Sequence, residues 1–172
     1  MESKAKFLGH PAYVILIVFP LGLLSTAAIF DALAIAQKKE KKKRKLAEAA
    51  YLMIGAGILG GLVAAPFGTI DWLAIPKGTR AKRVGAAHGL GNVAALGLFA
   101  ASWFLRRKEP QQPTAPALAL SFTAAALSGV TGWLGSELVE RLSVGVYPGA
   151  HLDSPNTLSG RSAYENDSDA VI

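Results

Sequence analysis

The 172-residue chain contains no cysteine. That absence excludes disulfide scaffolding, covalent c-type haem attachment, cysteine-ligated iron-sulfur clusters and thiol nucleophiles together. Histidine is nearly as scarce, with only His10, His88 and His151. None stands in a ligand spacing such as HExxH and no serine occupies a nucleophile elbow, so neither zinc hydrolysis nor a Ser-His-Asp relay has support. Acidic residues are also few, 12 against 18 Lys and Arg, for a net charge of +6. An excess of cations can signal nucleic acid, but here they sit in short stretches between apolar segments and not along one helix face. They read as topological signals, with anionic headgroups as neighbours and no nucleic-acid partner.

What the chain has in abundance is long apolar runs. The first, 11–36, is almost wholly apolar and long enough to cross a ~30 Å hydrocarbon layer as a helix. Pro11 falls in its first turn, where proline is tolerated, while Pro20 falls mid-span and predicts a kink unless neighbouring helices re-satisfy the freed carbonyl. The run is too long for the core of a removable signal peptide, and the basic block from Lys38 to Lys45 follows it directly, as after a retained span. Three further runs, 47–67, 84–105 and 116–138, have near-spanning length. The expectation is an all-α, antiparallel four-helix transmembrane bundle over 1–142, followed by a polar, turn-rich and largely disordered tail over 143–172.

Charge counting orients the bundle. The first connection carries seven Lys or Arg and the third adds Arg106, Arg107 and Lys108, against four in the middle connection (Lys77, Arg80, Lys82 and Arg83). By the positive-inside rule the first and third connections face the cytoplasm, and both termini are extracytoplasmic. Trp72 and Trp133 fall at one set of helix ends and Trp103 at the other, joined by Tyr13, Tyr51 and Tyr147, as an aromatic belt requires.

The second span contains Gly55-Ala56-Gly57-Ile58-Leu59-Gly60, formally the dinucleotide pattern GxGxxG. It lacks the strand before it, the βαβ context and the acid about 20 residues on that give the pattern meaning. Helix packing is the better reading, since Gly57 and Gly61 form GxxxG. In the third span Gly85, His88, Gly89 and Asn92 share one face, answered in the fourth by Ser128 and Gly132. These small and polar residues predict close packing inside the bundle, and equally permit a homo-oligomer.

His88 lies about one turn inside its span, where an ionisable group requires a partner. The orientation puts His10 on the same side of the membrane. Two imidazoles on antiparallel helices are the minimum for a bis-histidine b-type haem, with Arg80 and Arg83 placed to meet the propionates. The alternative makes His10 an interfacial residue and His88 a donor to Asp71, Glu137 or a backbone carbonyl. Asp31, near the end of the first span, is expected to be neutralised by the lysines that follow it.

The combination of Gly9-His10-Pro11, Phe19-Pro20-Leu21-Gly22-Leu23-Leu24, Phe30-Asp31, Asp71-Trp72 and Thr131-Gly132-Trp133-Leu134-Gly135-Ser136-Glu137 resembles the bacterial four-span family called domain of unknown function 2231, over about residues 7–147. The resemblance implies a multi-pass protein of the bacterial inner membrane without an assigned activity. Some members are fused to Rieske or cytochrome c modules, which implies a redox setting. This chain departs from the family where a second His-Pro often follows the first, with Tyr13-Val14 in its place, and Val18 stands where histidine often precedes Phe-Pro. His10 and His88 are then the remaining haem candidates. Two functional expectations follow. One is a redox-linked component, within a larger membrane complex, binding haem b or a quinone near the outer leaflet; the other is a cofactor-free structural or assembly subunit that binds partner transmembrane helices. No catalytic constellation argues for an enzyme.

Overall fold

Pro11, with φ −57° and ψ 118°, passes the chain from a short hairpin into helix α1, Ala12–Ala36. In the computed structural model, which describes residues 1–166, three more helices follow: α2 (Glu40–Ala74), α3 (Arg80–Arg106) and α4 (Ala115–Ser136), the last running into a π-helical turn at Glu137–Arg141. All four are long and apolar enough to cross a membrane. Each begins where local chemistry allows. Thr79 caps α3 by accepting the Lys82 N–H at 3.1 Å, and α4 carries a proline in its first turn, where no amide bond is lost. Both α1 and α2 continue through an internal proline, Pro20 and Pro66.

The connections are short, so successive helices run antiparallel. Helix α1 packs mainly along α2, and α3 along α4, with α2 against α3 and α1 against α4 closing the bundle. Leu24, Ala27, Ala50, Ile54, Phe99 and Ala124 form the central core. Alanine and glycine predominate at the contacts because hydrocarbon supplies no hydrophobic drive, and association depends on close approach. A Cβ on Gly57 would lie 2.6 Å from Leu24, and one on Gly61 would lie 2.9 Å from Leu96. The two glycines of the GxxxG pair thus receive side chains from two different helices.

Outside this core the large apolar side chains point outward. Val18, Phe19, Leu33, Leu52, Leu59, Leu90, Val93 and Val130 are all more than half or close to half exposed. Such a surface is a liability in water and the ordinary condition of a helix wall facing lipid. This is a multi-pass membrane protein. Its 35-residue α2 is about 52 Å long at 1.5 Å per residue, well beyond the ~30 Å hydrocarbon layer. The apolar window 47–67 is therefore only the middle of a longer helix that takes in the basic block from Glu40 onward.

The two ends of the bundle differ in chemistry. One, the basic end, carries the α1–α2 and α3–α4 connections. The other carries the N-terminal segment, the start of the tail after α4 and the α2–α3 connection. There, strands β1 (Lys6–Phe7) and β2 (His10–Pro11) pair antiparallel, Phe7 opposite His10. Their turn places Leu8 at φ 48° and Gly9 at φ 83°, the double positive-φ geometry of a two-residue hairpin. The tail, described as far as residue 166, adds turns and a single 3-10 turn at Thr157–Ser159. Positions 167–172, within the stretch expected to be disordered, lie outside the described residues.

Candidate functional site

Two interior polar clusters stand out, one toward each end. At the terminal end His88 projects from α3 between α1 and α4. Its Nδ1 lies 2.8 Å from the Thr131 carbonyl oxygen. A carbonyl only accepts, so Nδ1 carries the proton, while the Asn92 amide nitrogen facing Nε2 only donates. Nε2 is then the acceptor, and it receives the Asn92 side-chain amide at 3.0 Å and the Tyr13 hydroxyl at 3.3 Å. The ring has room because position 135 is glycine, where a Cβ would come within 3.0 Å of His88 Cε1. The backbone carbonyl is one of the partners expected for His88. Tyr13, which stands where the family resemblance would put a second histidine, is another of its neighbours.

The other residues singled out for a haem site are dispersed. His10 is exposed on the hairpin, and its Nε2 is 3.1 Å from the Thr157 hydroxyl. Arg80 is paired with Glu137 at 2.6 Å. Arg83 donates to the Gly78 carbonyl at 3.3 Å. The two histidines share no hydrogen-bond partner among the described residues. For His88 to ligate iron, Nε2 would have to give up both Asn92 and Tyr13, so the arrangement present does not fit a haem between His10 and His88. No group of three or more His, Cys, Asp or Glu among the described residues is placed to hold a metal ion.

Over the terminal end lies a cap made by the N-terminal segment and the start of the tail. The Asp71 carboxylate receives the Ser3 hydroxyl at 2.7 and 2.9 Å and the Lys4 and Ala5 amides at 2.7 and 3.3 Å. The terminal ammonium of Met1 donates to the Ser143 carbonyl at 2.6 Å, and the Gly145 amide returns to the Met1 carbonyl at 2.8 Å. Tyr147 donates its hydroxyl to the Gly9 carbonyl. The hydrogen bond from Lys6 to Glu2, with the Tyr147 ring also close, holds the Lys6 ammonium above the usual lysine range. Asp71 is thus a clasp for the N-terminal segment. Trp72 beside it is covered by the Lys82 ammonium, 4.0 Å from the ring centre.

At the basic end the structure corrects the expectation for Asp31. Its partner is not one of the following lysines but Arg106, the last residue of α3. The guanidinium meets the carboxylate end-on, Nη1 to Oδ1 and Nη2 to Oδ2, both at 2.8 Å. Ser121 of α4 donates to Oδ2 at 3.1 Å. Ser102 accepts from Arg106 Nε at 3.1 Å and donates to the Ala117 carbonyl at 2.6 Å. Asp31 is 0% exposed and Arg106 1%. The lysines could not serve because they lie beyond the helix end, in a polar environment, whereas Arg106 lies at the depth of Asp31 on a facing helix. A buried ion pair survives only with such geometry and with its remaining lone pairs and protons used. One cue was available in the sequence: Ser102 and Arg106 stand at i and i+4, and Ser121 occurs within an otherwise apolar stretch.

No buried side-chain nitrogen or oxygen among the described residues lacks a partner. In each cluster the serine hydroxyls, imidazole and carboxylate are therefore engaged in holding helices together. The packing residues divide into two groups. Gly85 accepts Trp72, whose Cδ1 would lie 2.8 Å from an added Cβ, whereas at Gly89, Gly97, Gly129 and Gly132 a Cβ would meet nothing within 4 Å. Gly89 and Gly132 thus lie on outward faces, not in the expected interior contact. Ser128 donates to Ala124 of its own helix at 2.9 Å.

Residues 9–148 match the family described as "Predicted membrane protein (DUF2231)". The match begins at Gly9 of the hairpin turn and ends just past Tyr147, so it takes in the four helices and the contact between hairpin and tail. No curated protein and no solved structure matches the chain.

Proposed function

We propose that this chain, which belongs to the DUF2231 family of predicted membrane proteins, is a cofactor-free structural or assembly subunit of the bacterial inner membrane that binds partner transmembrane helices, its basic end cytoplasmic and its termini extracytoplasmic. The observation that carries this reading is the placement of its small residues. Gly89, Gly97, Gly129 and Gly132 open outward from α3 and α4, beside exposed Leu90, Val93, Val130 and Trp133, while the interior polar groups are spent on one another. Small residues on a lipid-facing wall let another helix approach to backbone distance.

The test is purification in mild detergent after crosslinking in the native membrane. A stable partner, a larger complex or a second copy, is expected, and bulky substitution at Gly97 and Gly129 should release it while the helical signal stays unchanged. A protein that remains strictly monomeric and unpartnered under crosslinking would overturn the reading. A reporter fused after Lys43 should score cytoplasmic.

The redox reading, with haem b or a quinone near the outer leaflet, draws on the Tyr13, Asn92 and His88 cluster, the interior polar cluster on the side of the expected outer face. Its support is weaker because each group already has a partner. An absorbance spectrum of protein from haem-replete cells separates the two readings: a Soret band that weakens in His88→Ala would favour haem, and a colourless preparation favours the assembly role.

A further inference from the structure

The polybasic stretch belongs to a helix, and this gives its side chains fixed positions. Helix α2 begins at Glu40, so Lys41, Arg44, Lys45 and Glu48 fall at i, i+3, i+4 and i+7 and share one face. With Gln111 of the α3–α4 connection they line a groove of about 230 Å³. Glu48, the one carboxylate lining it, receives the Gln111 amide at 3.2 Å. Among the described residues no acid pairs with Lys41, Arg44 or Lys45; the single ion pair in the block is Lys43 with Glu40, at 4.0 Å. Like charges three and four positions apart repel one another. A bound anion is what would relieve them.

The groove also lies at a particular depth. Lys45 is followed at once by Leu46 and buried Ala47, where the apolar part of the helix starts. Tyr51 stacks on Trp103 just inside, ring centres 5.2 Å apart, in the space left by Gly55, and such rings settle at the membrane interface. The three cations stand about 9 to 15 Å outward of that ring pair at 1.5 Å per residue. Their long stems can fold back toward the lipid phosphates.

We infer that this groove binds the phosphate of an anionic phospholipid headgroup, with Lys41, Arg44 and Lys45 as its cationic wall. Inorganic phosphate has the same chemistry but no acyl chains to hold it at this depth. The test uses the full chain in neutral detergent, titrated with phosphatidylglycerol, phosphatidylcholine or inorganic phosphate, reading apparent affinity from the shift in unfolding temperature. Phosphatidylglycerol should stabilise the protein and phosphatidylcholine should not. The K41Q/R44Q/K45Q variant should bind phosphatidylglycerol on the order of a hundredfold more weakly, about fivefold for each cation near a membrane surface. The K38Q/K39Q/K42Q variant loses the same charge outside the groove and should change affinity by less than about tenfold, the part due to diffuse attraction. Equal weakening in both variants, equal stabilisation by the two lipids, or stabilisation by inorganic phosphate alone would each overturn the site. The wild-type lipid comparison decides the matter even if a variant folds poorly.

Discussion

Replacing Asp31 with alanine would remove one half of the ion pair that ties α1 to α3 and α4. Three bonds to the carboxylate disappear, two from Arg106 at 2.8 Å and one from Ser121 at 3.1 Å. The guanidinium, 1% exposed, keeps only the Ser102 hydroxyl at 3.1 Å and the Ala117 carbonyl at 3.4 Å. Stranding one member of a buried pair costs about 3 to 5 kcal/mol. The lower end, about 3 kcal/mol, is expected here because a chain unfolded within a membrane or micelle still finds polar partners. Arg106→Met should lose a comparable amount by leaving the carboxylate with Ser121 alone. Combining Asp31→Leu with Arg106→Met removes both charges and fills the space, so it should return to within about 1 kcal/mol of the wild type. Reversible unfolding by SDS in mixed micelles, followed by helical circular dichroism, measures all three. A loss below about 1 kcal/mol in Asp31→Ala, or a double variant that loses the sum of the two singles, would refute the view that these residues act as a matched pair.

Three further outcomes follow from the geometry. His88→Ala should cost about 1 to 3 kcal/mol in the same assay, because the Thr131 carbonyl, the Asn92 amide and the Tyr13 hydroxyl all lose their partner; an unchanged midpoint would mean that lipid or water already satisfies them. Gly91→Ala puts a Cβ 2.5 Å from Thr131 Cγ2 and should destabilise by about 1 to 3 kcal/mol, whereas Gly89→Ala meets open space and should be neutral or gain up to about 1 kcal/mol of helix propensity; the reverse order would invalidate the assignment of inward and outward faces. Asp71→Ala should leave the four helices intact but speed amide exchange and proteolysis at residues 1–11, since the Lys4 amide loses its acceptor and the Ser3 hydroxyl and Ala5 amide are left only with each other's residue; unchanged protection there would show that the cap does not depend on this clasp.

The four helices were legible because lipid leaves a spanning segment almost no alternative: backbone groups must be satisfied within the segment, so a long apolar run becomes a helix. Their ends were not. Hydropathy registers only the window 47–67, while Lys, Arg and Glu are good helix formers and carry α2 back to Glu40, turning an expected loop into a rigid basic face. The shared face of His88 and Asn92 could be read from their i, i+4 spacing, but the Thr131 carbonyl that fixes the tautomer lies 43 positions away and no periodicity points to it. Counting cations by loop placed Arg106 in solvent, whereas the fold buries it against an aspartate 75 positions earlier.

Glycine spacing marked where helices could approach, without distinguishing an inner wall from an outer one. That distinction matters most for function. Gly57 and Gly61 are filled by Leu24 and Leu96, so their role ends within the bundle, while Gly89, Gly97, Gly129 and Gly132 are left open toward lipid. Interior helix packing alone gives no reason to retain glycine at these four outward positions, each of which forgoes about 1 kcal/mol of helix propensity relative to alanine. The proposed assembly role would supply one, since the same missing methyl groups that cost propensity in the single chain would allow the backbone of a partner helix to approach.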